Sequence, residues 1–229
     1  MFISTIIVAG GSGKRFGSKK QYHKLCGKPV VLWAVEKFMQ VSDEVILILP
    51  REDITFFQNK WKKKYPSLKI FPGGRQRWQS VENGLKNLLP KACLVAIHDG
   101  ARPLINKADI QNCIKAASKF GAAICAAQAS DTVKMSDGKD NIDRTLNRKI
   151  IFLAQTPQIF KKEIILKAFE RFRAFGRKKL SNATDDAQMV EAIGQKVKLV
   201  PTTSSNIKIT TKTDILIAEK LLNKGVFRW

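Results

Sequence analysis

The sequence predicts an α/β fold: a mostly parallel sheet with helices on both faces and an extended β arm. Three observations carry that reading. Over the first ~130 residues, apolar runs of strand length alternate with segments of helical spacing. Those runs are continuously apolar, as strands covered on both faces of a parallel sheet must be. After Ala127 the alternation breaks, and residues 130–160 hold short strand-like pieces with a turn at Ser136-Asp137-Gly138.

The elements follow in order. "STIIVAG" (4–10) is a buried strand. "PVVLWAVEKFMQ" (29–40) has apolar residues at 30, 31, 34, 35 and 38, a helical spacing, with Pro29 suited to the first turn. "EVILILP" is a strand and "EDITFFQNKWKKKY" (52–65) a helix. "LKIFPGG" is a short strand ending in two glycines, and "RWQSVENGLKNLL" (77–89) is a helix with Val81, Leu85, Leu88 and Leu89 on one face. "CLVAIHDGARP" is a strand and a turn, "KADIQNCIKAASKF" a helix, and "GAAICAAQ" a strand. The β arm at about 130–155 comes next, too long for a connector within a compact sheet. "KEIILKAFERF" and "TDDAQMVEAIG" are helices, "KVKLVPT" a strand, and "KTDILIAEKLL" the closing helix. The expectation is a single domain over residues 1–229.

Composition narrows the function classes. The chain has 229 residues, 44% hydrophobic and 26% charged, as in an ordinary globular protein. It contains no apolar run of ~18 residues, the length a membrane helix needs. The N-terminal apolar run is short for a signal-peptide core and lacks a basic start, so a cytoplasmic protein is expected. Cys26, Cys93, Cys113 and Cys125 show no paired spacing, which points to reduced, buried thiols rather than disulfides or zinc. Two histidines, His23 and His98, make a histidine-rich metal site unsuitable. The net charge of +22 favours anionic partners. Nucleic acid is one such partner, which keeps an RNA-binding protein open as an alternative; small phosphates are another. The clusters "KWKKKY" (60–65) and "RKK" (177–179) sit in no nucleic-acid module and read as solvated surface.

The stretch "VAGGSGKRFGSKKQY" (8–22) decides among phosphate-binding loops. In a Walker A loop Gly13-Lys14 would be followed by Ser or Thr; here Arg15 follows. A dinucleotide fingerprint fails on spacing, Gly11-x-Gly13-x-x-x-Gly17, and the second strand ends in Leu49-Pro50-Arg51 without an acid for a ribose. A loop of about 19 residues separates strand from helix, far beyond the usual length, and long loops of this kind are functional. It carries Lys14, Arg15, Lys19, Lys20, Lys24 and Lys28, and the first acidic residue of the chain is Glu36. Backbone N–H groups from the glycines, ringed by cations, suit a triphosphate.

The pattern A-G-G-x-G-x-R followed by K-Q-Y resembles nucleotidyltransferases that join a polyol or sugar phosphate to a nucleoside triphosphate. "GGRQRWQSV" (73–81), "HDGARP" (98–103), "DT" (131–132), "TPQIF" (156–160), "TDDA" (184–187) and "NIKIT" (206–210) follow in the order of one family. By these motifs the chain resembles the 2-C-methyl-D-erythritol 4-phosphate cytidylyltransferases along nearly its full length. The resemblance implies a Rossmann-like nucleotidyltransferase domain that transfers CMP from CTP to the polyol phosphate with loss of pyrophosphate. It implies Arg15, Lys20, Arg148 and Lys208 as catalytic. It implies Ala9, Gly10, Gly11, Ser12, Gly13, Arg15, Lys20, Gly74, Arg77 and Ser80 as nucleotide-binding. For the acceptor it implies Asp99, Arg102, Thr132, Arg148, Thr156, Thr184 and Lys208. Asp99 is the candidate ligand for Mg²⁺ or another divalent cation. It further implies a homodimer with shared sites, Arg148 reaching the neighbour's acceptor phosphate. Two departures stand out: Asn147 precedes the arginine where the family often has Asp, and Ser205 precedes Asn206-Ile207-Lys208 where Asp is common. A cytidylyltransferase for another polyol phosphate, such as ribitol 5-phosphate, shares most of these motifs, and a sugar-1-phosphate nucleotidyltransferase using another base is a more distant relation.

Overall fold

Alternation inside apolar strands decides the layering. In β1 (Ile3–Val8), Ile6 and Ile7 are both fully buried. They point into different cores, because successive strand residues face opposite sides. β4 (Glu44–Leu49) repeats the pattern: Leu47 and Leu49 join Ile7, and Ile46 and Ile48 join Ile6. A sheet with two apolar faces needs a helical layer on each. On one side lie α1 (Val30–Met39), α2 (Ile54–Trp61) and α4 (Lys107–Phe120). On the other lie α3 (Arg77–Lys86), α5 (Lys162–Ala174) and α6 (Asp186–Glu191).

The protein is described here from a computed structural model covering residues 1–11, 16–174 and 183–223. Among these residues the main sheet has seven strands. The remaining strands are β5 (Lys69–Pro72), β6 (Leu94–Asp99), β7 (Ala122–Gln128), β10 (Phe152–Lys161) and β11 (Lys198–Pro201). Their order is β11-β7-β10-β6-β1-β4-β5. β1, β4, β5 and β6 pair in parallel, as do β7 and β11, while β10 runs antiparallel to both β6 and β7. The edge strands β5 and β11 both end in proline, which removes a backbone donor where no further strand joins.

The long loop after β1 is not featureless. It holds a 3-10 turn at Lys20–Tyr22 and a small hairpin of β2 (Lys24–Leu25) and β3 (Lys28–Pro29). Cys26 and Gly27, at its tip, have φ of 47° and 80°, the left-handed pair that closes a tight two-residue turn. A third core fixes this loop: Phe16, Leu25 and Trp33 pack with Ile209 and with Ile215 and Ala218 of α7 (Lys212–Asn223). The Trp33 indole N–H donates to the Leu25 carbonyl at 3.0 Å.

Several expectations need adjusting. The arm shrinks: a hairpin of β8 (Lys134–Ser136) and β9 (Ile142–Thr145) forms its own two-stranded sheet, while Phe152 onward belongs to the main sheet. β10 looked irregular in sequence because Leu153 is exposed while its later residues are buried between two strands. The second helix is shorter than 52–65: residues 51–53 form a 3-10 turn, and the helix stops at Trp61, within the lysine cluster. α3 ends at Lys86 rather than Leu89. Pro29 caps α1 rather than entering it. All four cysteines are free, but only Cys113 and Cys125 are buried; Cys26 is at a hairpin tip and Cys93 just before β6, and both are exposed.

Candidate active site

From β1 the chain builds outward one way, to β4 and β5, and then lays β6 on the opposite side of β1. The carboxyl ends of β1 and β6 thus bound a switch point, where open α/β sheets leave a crevice. A pocket opens there. Ala9, Gly10 and Gly11 line it after β1, and Asp99 lines it at the end of β6. Lys20, Gly74, Arg75, Arg77, Ser80 and Lys208 complete the wall.

One wall is made of backbone. The Ala9 N–H donates to the Ile48 carbonyl at 2.9 Å, and the Gly73 N–H to the Leu49 carbonyl at 2.7 Å. Ser80 is buried, and its hydroxyl accepts from the Gly74 N–H at 3.1 Å. A side chain has no room on this turn: a Cβ on Gly73 would lie 2.9 Å from Ser80 Oγ, and one on Gly74 2.3 Å from Gln79 Cβ. Ser80 therefore shapes the wall by holding the Gly74 backbone. Gln76 and Gln79 cap the start of α3 reciprocally, so the positive end of that helix sits beside the pocket.

The other wall is made of charge. Asp99 Oδ1 accepts from Arg77 Nε at 3.2 Å and Oδ2 from Lys208 Nζ at 2.7 Å, with Arg102 Nε at 3.9 Å. Burial alone would push this carboxyl's pKa up, but Arg77 and then Lys208 overrule it and hold it well below the carboxylate range. Arg77 also donates through Nη1 to Asp186 Oδ2 at 2.8 Å. Arg102 donates through Nη1 to the Asn206 carbonyl at 2.7 Å, and burial lowers its pKa from the usual arginine value.

Beneath Asp99 runs a buried relay. The Asp99 N–H donates to Thr156 Oγ1 at 3.0 Å, and that hydroxyl lies 3.1 Å from His98 Nδ1. His98 Nε2 lies 3.1 Å from the Arg102 carbonyl. A carbonyl only accepts, so Nε2 carries the proton, Nδ1 accepts, and the Thr156 hydroxyl is the donor between them. Burial pushes the His98 pKa down to about 3, which keeps the ring neutral and this pattern fixed.

Residues 206–210 act as a strap across the mouth. Asn206 is buried and donates through Nδ2 to Gln155 Oε1 at 2.8 Å and the Thr156 carbonyl at 3.0 Å. The Ile209 N–H donates to the Ala101 carbonyl at 2.8 Å, and Lys20 Nζ donates to the Ile209 carbonyl at 2.7 Å. Lys20 and Lys208 are thus held on one side of the pocket although 188 positions separate them in sequence.

The structure gathers Ala9, Gly10, Gly11, Lys20, Gly74, Arg77, Ser80, Asp99 and Lys208 around one pocket, with Arg102 adjoining. Ser12, Gly13 and Arg15 lie outside the described residues, as does the cluster at 177–179. Thr156 does not line the pocket: it is buried, and its hydroxyl is engaged on both sides by the relay. Thr184 is exposed in a separate groove beside Ile150 and Gln188, where its backbone N–H donates to Gln188 Oε1 at 2.8 Å. Thr132 and Arg148 are exposed on the arm, and Arg148 donates through Nη1 to the Ser130 carbonyl at 2.7 Å. Ser205, at the departure noted above, contacts the Thr203 hydroxyl.

Sequence reasoning missed Gln21, Arg75, His98, Asp186 and Asn206. Gln21 is buried and donates to the Gly11 carbonyl at 3.3 Å. It stood inside the quoted motif "KQY", and a neutral residue between cations is the signal that was available. Asp186 lay unmarked in the helical segment "TDDAQMVEAIG", because nothing local in sequence announces a partner at Arg77.

Asp99 does not fit a protein-held metal ion in this arrangement. Both its oxygens already accept from cations, and among the described residues no group of three or more His, Cys, Asp or Glu side chains is placed to hold a metal. No helix among the described residues is long and apolar enough to cross a membrane.

Comparison with known proteins agrees with this geometry. The family model for 2-C-methyl-D-erythritol 4-phosphate cytidylyltransferase matches residues 3–224. A protein of that description from Endomicrobium trichonymphae is 42% identical over 223 residues, covering 96% of this chain and 98% of the relative. One from Syntrophus aciditrophicus is 41% identical, covering 97% and 96%. Among solved structures, the 4-diphosphocytidyl-2C-methyl-D-erythritol synthase of Anaerococcus prevotii superposes with a TM-score of 0.86 at 34% identity, covering 97% and 98% of the two chains. The 2-C-methyl-D-erythritol 4-phosphate cytidylyltransferase of Thermus thermophilus gives 0.76 at 30% identity, covering 97% and 100%. Motif order, a cation-walled pocket at the switch point and matches along nearly the whole chain converge: the chain belongs to the 2-C-methyl-D-erythritol 4-phosphate cytidylyltransferase family.

Proposed function

We propose that the chain transfers CMP from CTP to 2-C-methyl-D-erythritol 4-phosphate, releasing pyrophosphate. One observation carries the reading. The described pocket faces Lys20, Arg75, Arg77 and Lys208 against a single carboxylate, Asp99, with a glycine-lined backbone wall opposite. A polyanion is the ligand such a wall is built for.

In the reaction, an oxygen of the acceptor phosphate attacks the α-phosphorus of CTP, and the bond to the β-phosphate oxygen breaks. Nucleophile and leaving group are both anions. Catalysis then consists of in-line positioning and charge stabilisation, with little proton transfer. Lys20 is the point charge for the α-phosphate, a role the family resemblance also gives to Arg15. The Gly10–Gly11 and Gly73–Gly74 backbones hold the nucleotide, and Ser80 keeps that wall in shape. Lys208 and Arg102 take the acceptor phosphate, with Asp99 between them as the group that collects these cations beforehand. A divalent cation, magnesium or another, would enter on the triphosphate, whose oxygens would supply its hard ligands.

The proposal includes a homodimer. The hairpin β8–β9 is exposed along β9, and an isolated two-stranded hairpin is marginal in water. Ile142, Ile150 and Leu153 are 64%, 73% and 59% exposed, more apolar surface than an arm needs in solvent. A two-fold partner would cover it and bring Arg148 and Thr132 to the neighbouring site. Thr184 would join from the adjoining groove. Free, exposed Cys26 and Cys93 suit a reducing, cytoplasmic setting.

The test is pyrophosphate release with each of four nucleoside triphosphates against methylerythritol phosphate and ribitol 5-phosphate. CTP with methylerythritol phosphate is expected to dominate and to need a divalent cation. Equal turnover with ribitol 5-phosphate would reject the acceptor.

A further inference from the structure

We propose that Asp186 is a positioning residue for the acceptor half of the site: it locks Arg77 onto Asp99 and so leaves Lys208 exchangeable with substrate phosphate. The inference rests on the function proposed above and goes beyond it in naming a residue that touches no substrate.

Asp186 is the first residue of α6 and is fully buried. The start of a helix is a common place for aspartate, but here that work is done by others. Asp185 caps the helix, accepting from the Gln188 N–H at 2.9 Å. Gln158 Oε1 accepts from the Asp186 and Ala187 N–H groups at 3.1 and 3.0 Å. The side chain of Asp186 is left with no local task. Its Oδ2 accepts instead from Arg77 Nη1 at 2.8 Å, and its Oδ1 has no partner among the described residues. A buried carboxylate with an empty acceptor is a poor stabilising device, so its value lies in what it does to Arg77.

Arg77 is held at two points, by Asp186 through Nη1 and by Asp99 through Nε. A guanidinium gripped by two carboxylates cannot follow a passing phosphate. Lys208 differs in each respect. Its side chain is 37% exposed, it has one salt-bridge partner among the described residues, and its ammonium sits on a flexible stem. When an acceptor phosphate arrives, Lys208 can leave Asp99 for it, because Arg77 remains to balance the carboxylate. Without Asp186, Arg77 is free to swing, and with Arg102 Nε no nearer than 3.9 Å, Lys208 at 2.7 Å becomes the close counter-ion that Asp99 holds back.

The experiment compares wild type, Asp186→Asn and Asp185→Ala in pyrophosphate-release kinetics, with thermal unfolding in parallel. Asp186→Asn keeps size and removes charge; its KM for methylerythritol phosphate is expected to rise about tenfold, the scale of one lost charge-assisted hydrogen bond. Its KM for CTP should stay within about twofold, since the backbone wall is untouched. Asp185→Ala removes the helix cap and should lower the melting temperature without that split. Parallel rises in both KM values, or an acceptor KM no higher than that of Asp185→Ala, would overturn the role. If Asp186→Asn does not fold, Arg77→Lys decides: lysine keeps the charge but cannot bridge two carboxylates, so the same rise in acceptor KM is expected, and a wild-type acceptor KM overturns the role. A wild-type protein inactive with CTP and methylerythritol phosphate would sink the functional reading and this role with it, whereas an active wild type with unaltered variants sinks the role alone.

Discussion

The cations around Asp99 and the cation on the arm are placed by opposite means. Arg77, Arg102 and Lys208 are collected by the carboxylate of Asp99, whose backbone N–H is itself held by the Thr156 hydroxyl. That carboxylate, with the strap at 206–210, holds them in a charged array before any substrate arrives. Arg148 lies exposed on a segment that packs against little, bonded to a carbonyl of its own arm. The difference separates two kinds of candidate residue. Those around Asp99 are brought together within one chain. Among the described residues Arg148 contacts nothing that aims it at the pocket, so in the proposed dimer its use rests on a second copy.

The sharpest way to test the self-contained half is Lys20→Ala. Lys20 is tied to the strap through the Ile209 carbonyl and faces the pocket. Its charge should matter most where negative charge builds up in the transition state. The expected fall in kcat is about 10²–10³-fold, with a smaller change in KM for CTP. Steady-state kinetics check it, and a near-normal kcat would show that Lys20 only closes the strap.

The dependent half is tested by mixing. Arg148→Ala and Lys20→Ala should each be nearly inactive. If Arg148 serves the partner's site, a heterodimer has one site with both lesions and one with neither. Random exchange makes half the dimers mixed, so activity should recover to about a quarter of wild type. A mixture that exchanges subunits and stays as inactive as its parents would place Arg148 in its own chain's site.

The same contrast explains what could be read without coordinates. The parallel core was legible because burial on both faces leaves runs such as "EVILIL" that no surface segment tolerates. The pocket edge after β1 was legible because glycines and cations cluster there, whereas Gly73 and Gly74, where a Cβ would collide, entered only through a motif shared with the family. β10 was not legible as a central strand: Leu153 and Ala154 at its start are exposed near the arm, and its partners β6 and β7 are set by topology rather than by local pattern. Thr156 read as a substrate contact because a motif records that a hydroxyl is needed, not which way it faces. Asp186 escaped notice for the related reason that its partner is 109 positions away.

Thr156→Val breaks the relay under Asp99 while keeping the side chain's volume. It leaves the Asp99 N–H and His98 Nδ1 without partners in a buried setting. Each unsatisfied group costs about 1–3 kcal/mol, so stability in denaturant should fall on that scale. His98 adds a pH signature. Burial holds its folded pKa at about 3, below the usual imidazole value of 6.5, so the unfolded chain takes up a proton that the folded chain refuses. Stability from this group is full above the unfolded pKa and declines as pH falls toward 3, by about 1.4 kcal/mol per unit at most. Denaturant midpoints at pH 7 and pH 5 should show the decline in wild type and a flatter response in His98→Gln. Equal slopes would mean that His98 titrates in the folded chain.

The smallest effect on the chain itself separates the two halves most cleanly. Ile150→Lys replaces a residue that is 73% exposed and sits outside the main sheet and both of its cores. Surface changes of this kind alter the stability of a folded chain by no more than about 0.5 kcal/mol. The cluster around Asp99 is out of its reach, so CTP binding should be unchanged. In the proposed dimer, however, the same lysine would be pressed into an apolar contact and would need to lose its hydration. Sedimentation should then show dissociation to single chains at concentrations where wild type is paired, and turnover should fall with the paired fraction and return as concentration is raised. A variant that unfolds early would place Ile150 in the core of its own chain. A variant that stays paired and fully active would show that the arm meets its partner through another face, and Arg148 would need a different route to a phosphate.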